Sequence, residues 1–209
     1  MSSQKENGRK YELKARAESQ ERTRQRIAKA AAELHGTVGP AQTTVAEIAR
    51  RAGVSRLTVY KHFPDNAALY PACSTHYATE HPLPDFGEAL APGDPVDRVR
   101  SLLRIVYGGL YRERQEMLRN LHRDRRLDPA LDEFMQNNAD AAIGGLADAL
   151  VAGFALRGGG SARLRSLTGV ALDFWTWDRL TRDGMDDEAA AELMTEAIAA
   201  LAGAGATAR

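Results

Sequence analysis

A single cysteine, Cys73, stands in 209 residues, so an internal disulfide and a cysteine-based zinc finger are both excluded. No run of eighteen or more apolar residues occurs, which excludes a helical membrane span. The first ten residues, MSSQKENGRK, have no apolar segment behind their charges. No secretory signal is therefore expected, and cytoplasmic residence is the simplest expectation. Aromatic residues make up only 6%, and β-branched residues are few beside thirty-six alanines; this favours helix over sheet. No HExxH motif or Lys-bearing glycine loop is present, because Gly158–Gly160 lacks both a preceding strand and a following Lys-Ser/Thr. His76 and His81, five apart, do not share a helix face. Cys73 and His76, three apart, can share one, but an inert buried cysteine is the commoner case. No catalytic residue, metal ligand or cofactor is expected.

The charges total zero, 28 basic against 28 acidic, but they are unevenly placed. Residues 1–64 hold 13 Lys or Arg against 6 Asp or Glu, and residues 65–209 hold 15 against 22. A basic N-terminal third on a neutral chain suggests a surface that meets a polyanion.

The spacing predicts disorder to about residue 9, then one long helix from Lys10 to His35, where neither Gly nor Pro occurs. Ile27, Ala30, Ala31 and Leu34 recur at helical spacing there, while the outer half is mostly charged. Gly36, Gly39 and Pro40 close it. A second helix starts after Thr43 or Thr44, with Val45, Ile48, Ala49 and Ala52 on one stripe. Gly53 ends it, Ser55 can cap a third, and that one runs to about His62. A fourth spans 66–80, where Pro71 predicts a kink or an early break. Residues 81–95 read as a proline-rich loop. Further helices are expected over 95–125 with a break near Arg112–Glu116, and over 128–155, 161–182 and 186–203, set apart by Gly158–Gly160 and Gly184. The fold reads as all-α.

Two short helices joined by a glycine turn have the form of a helix-turn-helix. In Thr44–Leu69, TVAEIARRAGVSRLTVYKHFPDNAAL, Gly53 suits the positive φ of the turn, and Val54 is expected to plug the core between the helices. Val59 and Phe63 face inward, which leaves Arg56, Leu57, Thr58, Lys61 and His62 outward. That mixture suits a DNA groove: Arg pairs bidentately with guanine, Thr bonds an edge or touches a thymine methyl, and exposed Leu packs on the methyl.

This segment resembles the DNA-binding domain of TetR-family transcriptional regulators, through Thr44, Ile48-Ala49, Ala52-Gly53-Val54-Ser55, Thr58-Val59-Tyr60 and His62-Phe63. The close match runs from Ile27 to Leu69. The resemblance implies a basic extension over 1–18, a three-helix DNA-binding domain over 19–66, and a helical effector-binding and dimerisation domain over 67–209. It puts Arg56, Leu57 and Thr58 on base edges, and Thr44, Tyr60, Lys61 and His62 on phosphates, with Ser55 in the same interface. Where the family usually has a phosphate-binding lysine, this chain has Asn66 after Asp65. Either Asn66 bonds a phosphate through its amide, or the basic stretch Lys10–Arg26 supplies the contact.

The resemblance further implies a homodimer through 161–182 and 186–203, a palindromic double-stranded operator, and a small hydrophobic or aromatic effector that releases a repressor. Leu164, Leu167, Ala171, Phe174 and Trp175 form one stripe of the expected interface; Ala190, Leu193, Met194, Ala197 and Leu201 form the other. Trp177 lies off the first stripe and is expected in the pocket or at the rim of the interface. Tyr107, Tyr111, Met117, Leu121, His122, Phe134 and Asn138 sit on the helices expected to line the pocket. An activator or architectural protein without effector, and an enzyme on the same scaffold, remain the alternatives.

Overall fold

In the computed structural model, residues 2–154, 156 and 159–207 are described, and no strand occurs among them. The helices are α1 (Ser2–Thr37), α2 (Val45–Ala52), α3 (Arg56–His62), α4 (Asn66–Glu80), α5 (Phe86–Ala89), α6 (Pro95–Arg104), α7 (Gln115–Asp124), α8 (Pro129–Met135), α9 (Ala141–Ala152), α10 (Gly159–Ala171), α11 (Phe174–Arg182) and α12 (Asp187–Thr207). A 3₁₀ turn covers Pro40–Gln42, and π-helical segments cover Ile105–Tyr111 and Gln136–Asp140. The all-α expectation holds.

Two compact units make up the chain. One comprises the chain up to Pro82 together with Arg119–Phe134, and the other comprises Leu83–Leu118 together with the chain from Met135 onward. The first unit thus takes the whole of α4 and, in addition, a short segment from much later in the sequence.

α1 is the frame of the first unit. At 36 residues it is about 54 Å long. Its buried stripe includes Ile27, Ala28, Ala31 and Leu34. Helix was expected only from Lys10; it begins at Ser2 instead. No proline interrupts the chain before Pro40, and one glycine at Gly8 costs only about 1 kcal/mol. Gly39 ends α1's run at φ 97°, where Asp124 presses so close that a Cβ would meet its Oδ2 at 2.4 Å. Ile48, Ala49, Ala52, Val59, Phe63, Leu69, Tyr70 and Leu131 complete this core. Val54, expected as a plug, is only half-buried. α4 runs through Pro71 to Glu80 without an early break.

The second unit has its own core of Val99, Leu102, Leu103, Val106, Leu150, Leu164, Leu172, Phe174, Trp177 and Ile198. Arg100 binds Glu192 through two nitrogens, and Arg112 binds Asp187 likewise, fastening α12 alongside the stretch that begins with α6. Three expectations need correction here. The loop over 81–95 contains the single turn α5, which Asp85 caps by accepting the Gly87 N–H at 2.8 Å. The helix expected over 161–182 is two helices, because the chain breaks at Leu172–Asp173 and Asp173 caps α11 by accepting the Trp175 N–H at 2.8 Å. Tyr107 and Tyr111 meet the carbonyls left open there, donating their hydroxyls to Ala171 O and Leu172 O. Trp177 is fully buried rather than at a pocket or rim, and its Nε1 donates to Asp187 Oδ1 at 2.9 Å. The expected break near Arg112–Glu116 is present, and the π segment before it contains Gly108 and Gly109. Of the separator Gly158–Gly160, Gly158 lies outside the described residues.

Candidate nucleic-acid interface

α2 and α3 are too short to persist alone, so their termini matter. Thr44 caps α2 in a reciprocal box: its Oγ1 accepts the Glu47 N–H at 3.2 Å, and Glu47 Oε2 accepts the Thr44 N–H at 3.0 Å. Hydrogen bonds from the Thr44 hydroxyl and amide hold the Glu47 carboxyl below the usual carboxylate range. Gly53 closes α2 at φ 65° and ψ 41°. Space around it is open, so it is the left-handed backbone, not crowding, that calls for glycine. Two residues later Ser55 caps α3, accepting the Thr58 N–H at 3.1 Å, and the two hydroxyls lie 2.8 Å apart.

Val59 and Phe63 pin α3 to the core. Arg56, Leu57, Tyr60 and Lys61 stand in solvent, while Thr58 and His62 are half-buried. Leu57 is 79% exposed and Tyr60 52%, a large cost in bare apolar surface for a helix with no further use for it. Thr44 and Ser55 are exposed as well. One surface helix therefore presents two cations, an aromatic hydroxyl and an apolar side chain, with its N-terminal end capped.

Sequence reasoning missed the group that fixes the other end of α3. Arg24 Nη1 donates to His62 O at 2.9 Å, and its guanidinium lies 4.2 Å over the Phe63 ring. A cation at the C-terminal carbonyls of a helix is favourable in itself. Arg24 was grouped with the basic stretch Lys10–Arg26; the signal that sets it apart is its place one turn before Ile27, in line with the buried stripe. Residues 12–22 of α1 are all exposed. Asn66, placed where a phosphate contact was weighed, donates its Nδ2 to Asp128 Oδ2 at 2.9 Å.

The seven residues expected around an effector do not fall in one unit. Tyr107 and Tyr111 lie in the core of the second, their rings 6.2 Å apart, with burial pushing both phenols up. In that unit Met117 is half-buried and Asn138 is exposed. Leu121, His122 and Phe134, all half-buried, belong to the first unit, where Phe134 stands 6.2 Å from the Tyr70 ring.

Cys73 is buried beside His35, 3.7 Å from Sγ to Nδ1, rather than paired with His76. Burial pushes its thiol up to about 12, which leaves it a poor nucleophile. Among the described residues no three His, Cys, Asp or Glu are placed to hold a metal ion, and no helix is long and apolar enough to cross a membrane.

Residues 27–73 match the family model for bacterial regulatory proteins of the tetR family. An HTH-type transcriptional regulator of Mycobacterium tuberculosis is 44% identical over 55 residues, 26% of this chain and 29% of that protein. The HTH-type transcriptional regulator AcrR of Shigella flexneri is 33% identical over 112 residues, 50% of this chain and 49% of AcrR. The chain thus spans less than half the length of these relatives. Among solved structures, NalD, the secondary repressor of the MexAB-OprM multidrug efflux pump in Pseudomonas aeruginosa, is 26% identical with a TM-score of 0.54, covering 87% of this chain and 95% of NalD. A TetR-like transcriptional regulator from Rhodococcus shares the fold at 21% identity and a TM-score of 0.54, over 90% of this chain and 97% of that one. The family model thus lies on α1–α4, and the all-helical fold that extends beyond it is similar to that of TetR-like regulators.

Proposed function

We propose that the protein is a cytoplasmic transcriptional repressor that binds a palindromic duplex as a homodimer and leaves it when a small hydrophobic or aromatic effector binds. The observation that carries the DNA-reading part is α3. Arg56, Leu57, Tyr60 and Lys61 are exposed together on a helix anchored by Val59, Phe63, Ser55 and Arg24. Arg56, Leu57 and Thr58 read base edges, and Thr44, Tyr60, Lys61 and His62 meet phosphates. The repressor role is supported by the likeness to NalD, itself a repressor. Pairing of two copies is supported by exposed apolar side chains on the three helices expected to form the interface, Val170 on α10, Trp175 on α11 and Leu193 on α12. Two identical readers then imply two inverted half-sites. The effector part rests on the likeness to TetR-like regulators, since Tyr107, Tyr111, Phe174 and Trp177 are packed into the core of the second unit.

Selection of duplexes from a random library by the full chain tests this reading. Enrichment of one inverted repeat, bound far more tightly than an unrelated duplex, is the expected result. Recovery of unpatterned sequences would remove specific recognition from the account.

A further inference from the structure

Arg119–Phe134 lies more than fifty residues after the helix-turn-helix yet packs as part of the same unit. Three of its polar side chains, Asn120, Asp124 and Asp128, are spaced by four. Asn120 is buried and donates its Nδ2 to Gly36 O at 3.0 Å and Thr37 O at 3.2 Å, carbonyls that the end of α1 leaves open. Asp124, only 1% exposed, accepts the Ala41 N–H at 3.0 Å and the Arg123 Nε–H at 2.6 Å. Asp128 Oδ2 accepts from Asn66 Nδ2 at 2.9 Å and from the Tyr70 hydroxyl at 2.6 Å, while its Oδ1 accepts the Ala130 N–H at 2.9 Å.

These bonds fall in two places. Asn120 and Asp124 hold the chain just before α2, at residues 36–41, and Asp128 holds it just after α3, at the start of α4. Helices of eight and seven residues have no orientation of their own; Val59 and Phe63 pin α3 to the core, and the holds on residues 36–41 and on the start of α4 fix the two ends. Buried polar groups cost free energy unless they are bonded, so the row at 120, 124 and 128 is stable only while both ends of the helix-turn-helix are in place. Asp65, capping α4, and Asp128 also put two carboxylates around Asn66, which disfavours an approaching phosphate.

We propose that the row Asn120, Asp124 and Asp128 positions the helix-turn-helix for DNA, that Asp128 is the positioning residue at its far end, and that Asn66 is an internal anchor rather than a phosphate contact. This rests on the DNA-binding reading above.

The test uses the full chain as wild type, Asp128→Ala, Asn66→Ala and the double variant. The probes are a duplex enriched by the wild type and an unrelated duplex of equal length. Asp128→Ala weakens the enriched duplex by about tenfold, the size expected for one lost charge-assisted hydrogen bond, and Asn66→Ala does so by a similar factor. The double variant is no weaker than the worse single one. Affinity for the unrelated duplex and the slope of log K against log salt stay as in wild type. Two results overturn the proposal. In one, Asn66→Ala weakens both duplexes alike and flattens the salt slope, as loss of a phosphate contact does. In the other, Asp128→Ala lowers the melting temperature but leaves the preference between duplexes intact, which is a merely structural role. If Asp128→Ala does not fold, Asp128→Asn, which keeps an acceptor for the Ala130 amide, takes its place under the same criteria. If the wild type enriches no duplex, it is the DNA reading that fails, and amide exchange of the free protein then decides the positioning role. Faster exchange across Arg56–Phe63 and Asn66–Cys73 in the variant supports it, and unchanged exchange overturns it.

Discussion

His35 is 7% exposed, and burial lowers its pKa to about 4, against the opposing pull of Asp128 and Asp124. The folded chain therefore keeps it neutral while the unfolded chain protonates it near 6.5. Because the native pKa is the lower one, stability is full above about 6.5 and falls as pH drops towards 4. The slope from this residue is at most about 1.4 kcal/mol per pH unit. Denaturant titrations between pH 7 and 5 should show wild type losing stability faster than His35→Gln, which has nothing to protonate; parallel losses would mean that His35 titrates normally in the fold. Arg24 makes a related point about what a side chain is for. Counted as charge it belongs to a basic arm, but its contacts with His62 O and Phe63 make it part of the support of α3. Sequence shows the charge and does not show the carbonyl 38 residues away.

Among the elements, α2 and α3 were the most legible, because Thr44, Gly53 and Ser55 specify their own boundaries through local chemistry. The break between α10 and α11 was not legible. Leu164, Leu167, Ala171 and Phe174 keep helical spacing across it, and the groups that favour the break, Tyr107 and Tyr111, come from some sixty residues earlier. The link between Asn66 and Asp128 was hidden for the same reason. α1 departs from expectation in the opposite sense, as it is helical from Ser2 rather than from Lys10. On the DNA-binding reading the cations of its outer half act by releasing counterions. Deleting residues 1–18 should then flatten the dependence of log K on log salt by roughly 0.9 for each phosphate contact removed, with duplex preference little changed. An unchanged slope would show that this half does not touch DNA.

For the whole molecule, symmetry is the argument. Val170, at 53% exposed, with Trp175 and Leu193, leaves apolar area on helices that otherwise bury theirs, and such area calls for a partner surface. Light scattering should find the wild type as a dimer and Val170→Glu with Leu193→Glu as a monomer. The monomeric variant should also lose most of its affinity for a full inverted repeat while keeping its weak affinity for one half-site. A wild type that is monomeric at micromolar concentration would contradict the pairing and, with it, the palindrome. The central claim, that α3 reads bases, is tested most directly by Arg56→Ala, whose side chain stands in solvent and supports no part of the core. Its affinity is compared with wild type on the enriched duplex, on every single-base variant of that duplex, and on an unrelated one. The account predicts a loss of about 1–3 kcal/mol on the enriched duplex and relaxed preference at one base pair in each half-site, with the unrelated duplex nearly unaffected. Equal losses on all duplexes would contradict it, making Arg56 a backbone contact and leaving α3 without its principal reader.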